Sequence, residues 1–94
     1  MVYQVDFAPQ ALDDLKGIFD YIAADSSPRA ATSFVNALTL HSLGLADFPS
    51  RGSPVGSGVR FLVFRKRATI AYIVEDDTVT VLRVRYAGLD WRPD

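Results

Sequence analysis

The chain has 94 residues, no cysteine, a formal net charge of −1 and hydrophobic residues at 49% of its positions. That size suits a single domain over residues 1–94 with one core, and without cysteine both disulfides and thiolate chemistry are excluded, as expected of a reducing, cytoplasmic setting. The start, MVYQVDF, has no basic region followed by a long apolar run, and no stretch approaches the roughly 18 apolar residues of a bilayer span, so no membrane association is expected.

Tyr3, Val5 and Phe7 alternate with Gln4 and Asp6, the period-two pattern of a half-buried strand. Pro9 ends it and suits the first position of a helix. Ala11, Leu12, Leu15, Ile18, Phe19 and Ile22 then recur every three or four residues, which predicts an amphipathic helix with Asp13, Lys16, Gly17 and Asp20 on its outer arc. Ser26-Ser27-Pro28 is a break followed by a start signal, with serine as cap and proline at the first helical position. The second helix is expected from Pro28 to about Ala46, with Ala31, Phe34, Val35, Leu38 and Leu45 as its main stripe. Leu40 and Leu43 fall opposite that stripe, so this helix needs two apolar contacts: it lies between the sheet and the first helix, or it receives a partner.

Ser50 to Gly58, SRGSPVGSG, reads as a loop. Three closely spaced strands follow, Val59–Arg65, Thr69–Val74 and Thr78–Tyr86, joined by the basic turn Lys66-Arg67 and the acidic turn Glu75-Asp76-Asp77. The expected fold is therefore α+β: an N-terminal strand, a helical hairpin and a three-stranded antiparallel meander, with the hairpin on one face of the sheet.

Several chemistries find no support. His41 is the single histidine, and with no cysteine or paired carboxylates beside it no metal site or cofactor is expected; a packing or capping role suits it better. The glycines between Gly52 and Gly58 precede a strand, whereas a phosphate cradle precedes a helix. Asp13-Asp14 is placed in the first turn of a helix, where carboxylates favour the dipole.

Charge is distributed unevenly. Residues 1–50 carry a net −4 and residues 51–94 a net +3, which directs attention to a polyanionic or acidic partner for the second half. On the last strand Val79, Val81, Arg83 and Arg85 are expected on one face, with Thr80, Leu82, Val84 and Tyr86 on the other. Arg60, Arg65, Lys66 and Arg67 belong to the strand and turn that the meander could bring near the arginine row. With Tyr86 and Trp91 close by, such a cluster could hold phosphates and stack on bases. The alternative is that these guanidiniums pair with Asp90, Glu75 or their own neighbours.

The segments DDLKGIFDYIAADSSPRAA, FPSRG, VRFLVF and IAYIVEDDTVTVLRV together resemble the ParE branch of the ParE/RelE toxin superfamily, and the match runs nearly end to end. The resemblance implies the toxin of a type II toxin-antitoxin pair, neutralised by a cognate antitoxin that wraps it in a hetero-oligomer. Many relatives have histidine-glycine and basic residues after the last strand, whereas this chain has Tyr86-Ala87-Gly88-Leu89-Asp90. ParE-like members poison DNA gyrase as binding proteins; RelE-like members are ribosome-dependent endoribonucleases acting on messenger RNA. In-line cleavage gains from a proton acceptor, a proton donor and cations, and arginine supplies only the last. Gyrase binding is therefore the favoured reading, with Arg83, Arg85, Tyr86, Asp90, Trp91, Arg65, Lys66 and Arg67 as the target surface. No catalytic residues are assigned on that reading; as an endoribonuclease the chain would use Arg65, Arg85 and Tyr86. The antitoxin is expected on Phe34, Leu38, Leu40, His41, Leu43, Arg60 and Arg65. A third possibility is a non-toxic interaction module.

Overall fold

The computed structural model describes residues 2–89. Its elements in chain order are β1 (Gln4–Phe7), α1 (Pro9–Asp25), α2 (Pro28–Leu43), a short 3-10 turn (Gly44–Ala46), β2 (Ser53–Gly56), β3 (Val59–Phe64), β4 (Ala68–Glu75) and β5 (Thr78–Tyr86). They form one five-stranded sheet in the order β1-β5-β4-β3-β2. β1 runs parallel to β5, and the other neighbours are antiparallel. The expected strand, hairpin and meander are all present.

Two assignments differ from expectation by more than one residue. Ser53–Gly56 is a fully exposed edge strand paired with β3, although its composition reads as a loop. Backbone pairing to a neighbour outweighed weak local propensity there, and Pro54 is tolerated because an edge strand leaves one side unpaired. The second helix stops at Leu43 and tightens into the 3-10 turn, a common way to end a helix.

Local chemistry explains the helices. Pro9 and Pro28 both stand at the start of a helix, and the Ser27 hydroxyl accepts the Ala30 N–H at 3.0 Å, as the cap signal predicts. The first turn of α1 contains no acidic residue, so the expected dipole role of Asp13 and Asp14 is corrected: both lie one turn further in. Ala11, Leu15, Ile18 and Ile22 of α1 and Ala31 and Leu38 of α2 are buried against Leu62, Phe64, Ile70, Tyr72, Val79, Val81, Val84 and Tyr86. These sheet residues make one face, and the helices cover it. The opposite face has no covering element among the described residues.

β5 contains the irregularity that matters most for function. Tyr72 pairs with Val81 and Ala71 with Arg83, which leaves Leu82 as the extra residue of a bulge. A one-residue slip exchanges the faces of everything beyond it. Val79 and Val81 therefore share the helix-covered face with Val84 and Tyr86, not with the arginines. Arg83 and Arg85 do lie on one face, but it is the uncovered one.

Candidate functional site

β1 reaches only as far as Val81 along the edge of β5, so among the described residues the edge from Leu82 onward has no strand partner there. Asp14 of α1 fills the gap. Its Oδ2 accepts the Val84 backbone N–H at 2.9 Å, and its two oxygens accept Nε and Nη2 of Arg83 at 2.8 and 3.0 Å. One carboxylate thus satisfies a strand edge and grips a guanidinium bidentately. The hydrogen bond, and secondarily the charge of Asp14, raises the Arg83 pKa above its usual value. Arg83 as a freely outward target contact is corrected accordingly: its fork is engaged by Asp14, a carboxylate far away in sequence.

The turn between β3 and β4 is the second component. The Arg67 N–H donates to the Phe64 carbonyl at 2.9 Å, closing a tight turn with Arg65 and Lys66 at its centre. Both have left-handed backbones, with φ of 52° and 57°. This is the primed turn that suits the twist of a hairpin, which normally takes Asn-Gly. A side chain in that conformation costs about 1 kcal/mol or more, so two long cations are held here against local preference.

From this turn the cations diverge. Arg65 folds back over the Phe64 ring, 4.8 Å from its centroid, on the helix-covered side. Arg67 donates from Nη1 to the Tyr86 hydroxyl at 3.2 Å, and its carbonyl accepts the Ala87 N–H at 2.7 Å. Lys66, Arg67, Arg85 and Tyr86, with Val63 and Thr69, line a hollow of about 190 Å³ at this end of the sheet. A second hollow of about 200 Å³, lined by Phe61, Thr69, Ala71, Arg83 and Arg85, continues from it along the uncovered face.

The remaining expected site residues are divided. Tyr86 is 8% exposed, its ring edge-on to Tyr21 and Phe34 at 5.9 and 5.3 Å, so a base-stacking role for its face is corrected. Arg60 does not join the arginine row. It points to the helix side and donates from Nη1 to the carbonyls of Gly52 and Ser50 at 2.6 and 3.2 Å. Leu38 is fully buried in the core, so its place on an antitoxin surface is corrected, and Phe34 is half-buried against Phe64 at 5.6 Å. Leu40 and Leu43, in contrast, are 68% and 42% exposed, as a helix needing a second contact requires. Asp90 and Trp91 lie outside the described residues.

His41 packs on Phe64 with ring centroids 5.0 Å apart, in keeping with the packing role, and its Nε2 is occluded without a hydrogen-bond partner. Burial, then the charges of Arg51 and Arg65, lower its pKa below the ordinary value. Among the described residues no cluster of histidine or carboxylate could hold a metal ion, and no helix is long and apolar enough to cross a membrane.

Phe61 was not singled out by the sequence, where it reads as one more apolar strand residue. It is 43% exposed on the uncovered face, and Val63 beside it is 58% exposed. The legible signal was the alternation of VRFLVF, in which both faces of the strand are apolar although the helical hairpin can cover only one.

Comparison with known proteins agrees with this architecture. Toxin RelE2 of Caulobacter vibrioides is 37% identical over 85 residues, spanning 90% of this chain and 96% of that protein. A chain of the chromosomal ParDE toxin-antitoxin system from P. aeruginosa superposes with a TM-score of 0.82 at 19% identity, over 90% of this chain and 96% of that one. One from the RelBE2 toxin-antitoxin complex of Mycobacterium tuberculosis gives 0.69 at 25% identity, over 92% of each. The model of the ParE toxin of the type II toxin-antitoxin system parDE matches residues 5–91, and the chain belongs to that family, within the ParE/RelE superfamily.

Proposed function

We propose that the chain acts as the toxin of a type II pair by binding DNA gyrase, and that a cognate antitoxin neutralises it. The observation carrying this reading is the make-up of the basic hollow. Among the described residues its lining offers Lys66, Arg67, Arg85 and Tyr86 but neither a carboxylate nor an imidazole. Guanidiniums bind and stabilise charge, but they remain protonated and do not relay protons. Such a surface suits adhesion to a macromolecule better than acid-base chemistry.

The test adds the purified chain to gyrase supercoiling and cleavage assays, with ribosome-bound messenger RNA in parallel. Inhibition of gyrase that is lost in Arg85→Ala is the expected result. Inhibition retained by that folded variant removes Arg85 from the target surface. Messenger RNA cleavage without any effect on gyrase replaces the reading altogether.

The second reading, ribosome-dependent cleavage, is favoured by the 37% identity to a protein named Toxin RelE2. It would assign proton transfer to Lys66 and Tyr86, beside Arg65 and Arg85 as cations.

The antitoxin is placed on α2, where the exposed Leu40 and Leu43 suit an apolar segment, while Arg65 and its neighbours attract acidic residues. Two toxin-antitoxin systems among the structural neighbours support a partner of this kind. Hydrogen exchange with and without antitoxin tests the placement: protection should rise across residues 28–46, and no change there excludes the helix.

A further inference from the structure

We propose that the uncovered face of the sheet is where two copies of this chain meet, face to face, in a weak two-fold dimer. Cross-strand pairing sets Val59 beside Ile73, Phe61 beside Ala71 and Val63 beside Thr69. Phe61 and Val63 are exposed, and Val59, Thr69, Ala71 and Ile73 are half-buried. These three rows on β3 and β4 make a mostly apolar patch that neither helix covers. A contiguous apolar patch of this kind marks an interaction surface.

The ends of the patch identify its occupant. Lys66 borders Val63 and Thr69 at one end. Glu75, exposed and on the same side of β4 as Ala71 and Ile73, stands at the other. Among the described residues neither has an ion pair within its own chain. Arg67 and Glu75 are each four residues from Ala71, so the patch is centred between a basic and an acidic turn. A two-fold axis lying between two such sheets, and crossing the strands at Ala71, reverses the strand direction from one copy to the other. It sets the row of Val63 on the row of Val59, and Lys66 of each copy over Glu75 of the other. The patch then complements itself, as an isologous interface requires. A nucleic acid or an acidic peptide laid along the same face would meet repulsion at Glu75. Arg83, at the margin on β5, enters the contact with its charge already offset by Asp14.

Size sets the strength. Sheets packed face to face interdigitate their side chains at about 10 Å. With strands roughly 4.8 Å apart and about 3.3 Å per residue, the five strands present about 500 Å² per copy. A pair therefore buries about 1,000 Å², the lower limit for a specific interface, so the dimer forms only at high concentration. Its formation hides Phe61 and the hollow beside it, and any other contact made by that hollow competes with the second copy.

Sedimentation equilibrium of the purified full chain tests this, over about 1 to 500 μM. Neither gyrase nor antitoxin is present, so a negative result leaves the gyrase reading standing. The weight-average mass should climb from one chain toward two, with a dissociation constant of roughly 10–100 μM. Phe61→Arg, at an exposed position, should weaken association at least tenfold. Lys66→Glu sets two like-charged pairs across the axis and should weaken it about tenfold, whereas Lys66→Glu with Glu75→Lys should restore it to within about twofold. That recovery is not expected of two variants that merely fold poorly. A mass that stays at one chain throughout, or rises past two, overturns the proposal. So does wild-type association in Phe61→Arg, or a charge-swapped double variant no better than the single one. Hydrogen exchange supplies the alternative occupant: protection of residues 59–63 that appears only when antitoxin is added assigns the face to the antitoxin and likewise overturns the dimer.

Discussion

Asp14→Ala should cost far more than an exposed helix residue ordinarily does. Val84 is 3% exposed, and its N–H loses the acceptor at 2.9 Å, a loss of roughly 1–2 kcal/mol for a buried donor left without a partner. The ion pair adds less. The Arg83 side chain is 38% exposed and that of Asp14 16%, so solvent screening holds its share to about 0.5–1 kcal/mol. The sum is about 2 kcal/mol, equivalent to about 10 °C in Tm for a domain of this size. Asp14→Asn keeps an acceptor for Val84 and loses only the charge, so it should cost about half as much. Arg83→Ala leaves the Asp14 to Val84 bond intact and should be milder than Asp14→Ala. Urea denaturation of the three single variants and the Asp14→Ala/Arg83→Ala double variant separates the terms. If Asp14→Ala lies within about 0.5 kcal/mol of the parent, typical of an ordinary surface change, the carboxylate does not close the strand edge and the account of β5 fails.

Three further outcomes are expected. Gly52→Ala should destabilise by about 2 kcal/mol, because a Cβ there would stand 2.8 Å from both the Phe61 carbonyl and the Tyr72 hydroxyl; a melt unchanged from the parent would refute it. The lowered pKa of His41 means that the unfolded chain takes up a proton there at higher pH than the folded one. Stability should hold above the ordinary imidazole value near 6.5 and fall as pH drops through the window just below it, and His41→Phe should flatten melts compared across that window; a slope surviving the substitution assigns it to other groups. Leu40→Asp with Leu43→Asp should leave the melt within about 0.5 kcal/mol of the parent yet weaken antitoxin capture at least tenfold, and undiminished capture would exclude this patch.

Which features were readable from sequence follows from where their information resides. The helices announce themselves through Pro9, Ser27-Pro28 and the three-to-four spacing of their buried residues, all local signals. The meander does so through alternation and two short charged turns. The face on which Arg83 and Arg85 lie was not readable, because Leu82 breaks the alternation through pairing with β4, and pairing is set between strands. The partner of Arg83 was hidden for the same reason: Asp14 meets it only because β1 ends one residue short of the bulge. FPSRG was recognisable as a unit but not explicable. Its glycine N–H donates to the Tyr72 hydroxyl at 2.8 Å, which itself donates to the Pro49 carbonyl at 2.8 Å, so an aromatic from a distant strand clamps the loop.

The parallel pairing of β1 with β5 bears on when this molecule comes into being. Residues 4–7 find their partners only in residues 78–81, and Ala8 donates its N–H to Val81. Everything from β1 to the start of β5 must therefore leave the ribosome before the first strand has a place in the sheet. Contacts spanning such a separation form late and slowly, so a nascent chain remains without its assembled basic face until β5 has emerged. For a protein read as harmful to the cell that makes it, this delay gives a partner time to be present when the last strand docks.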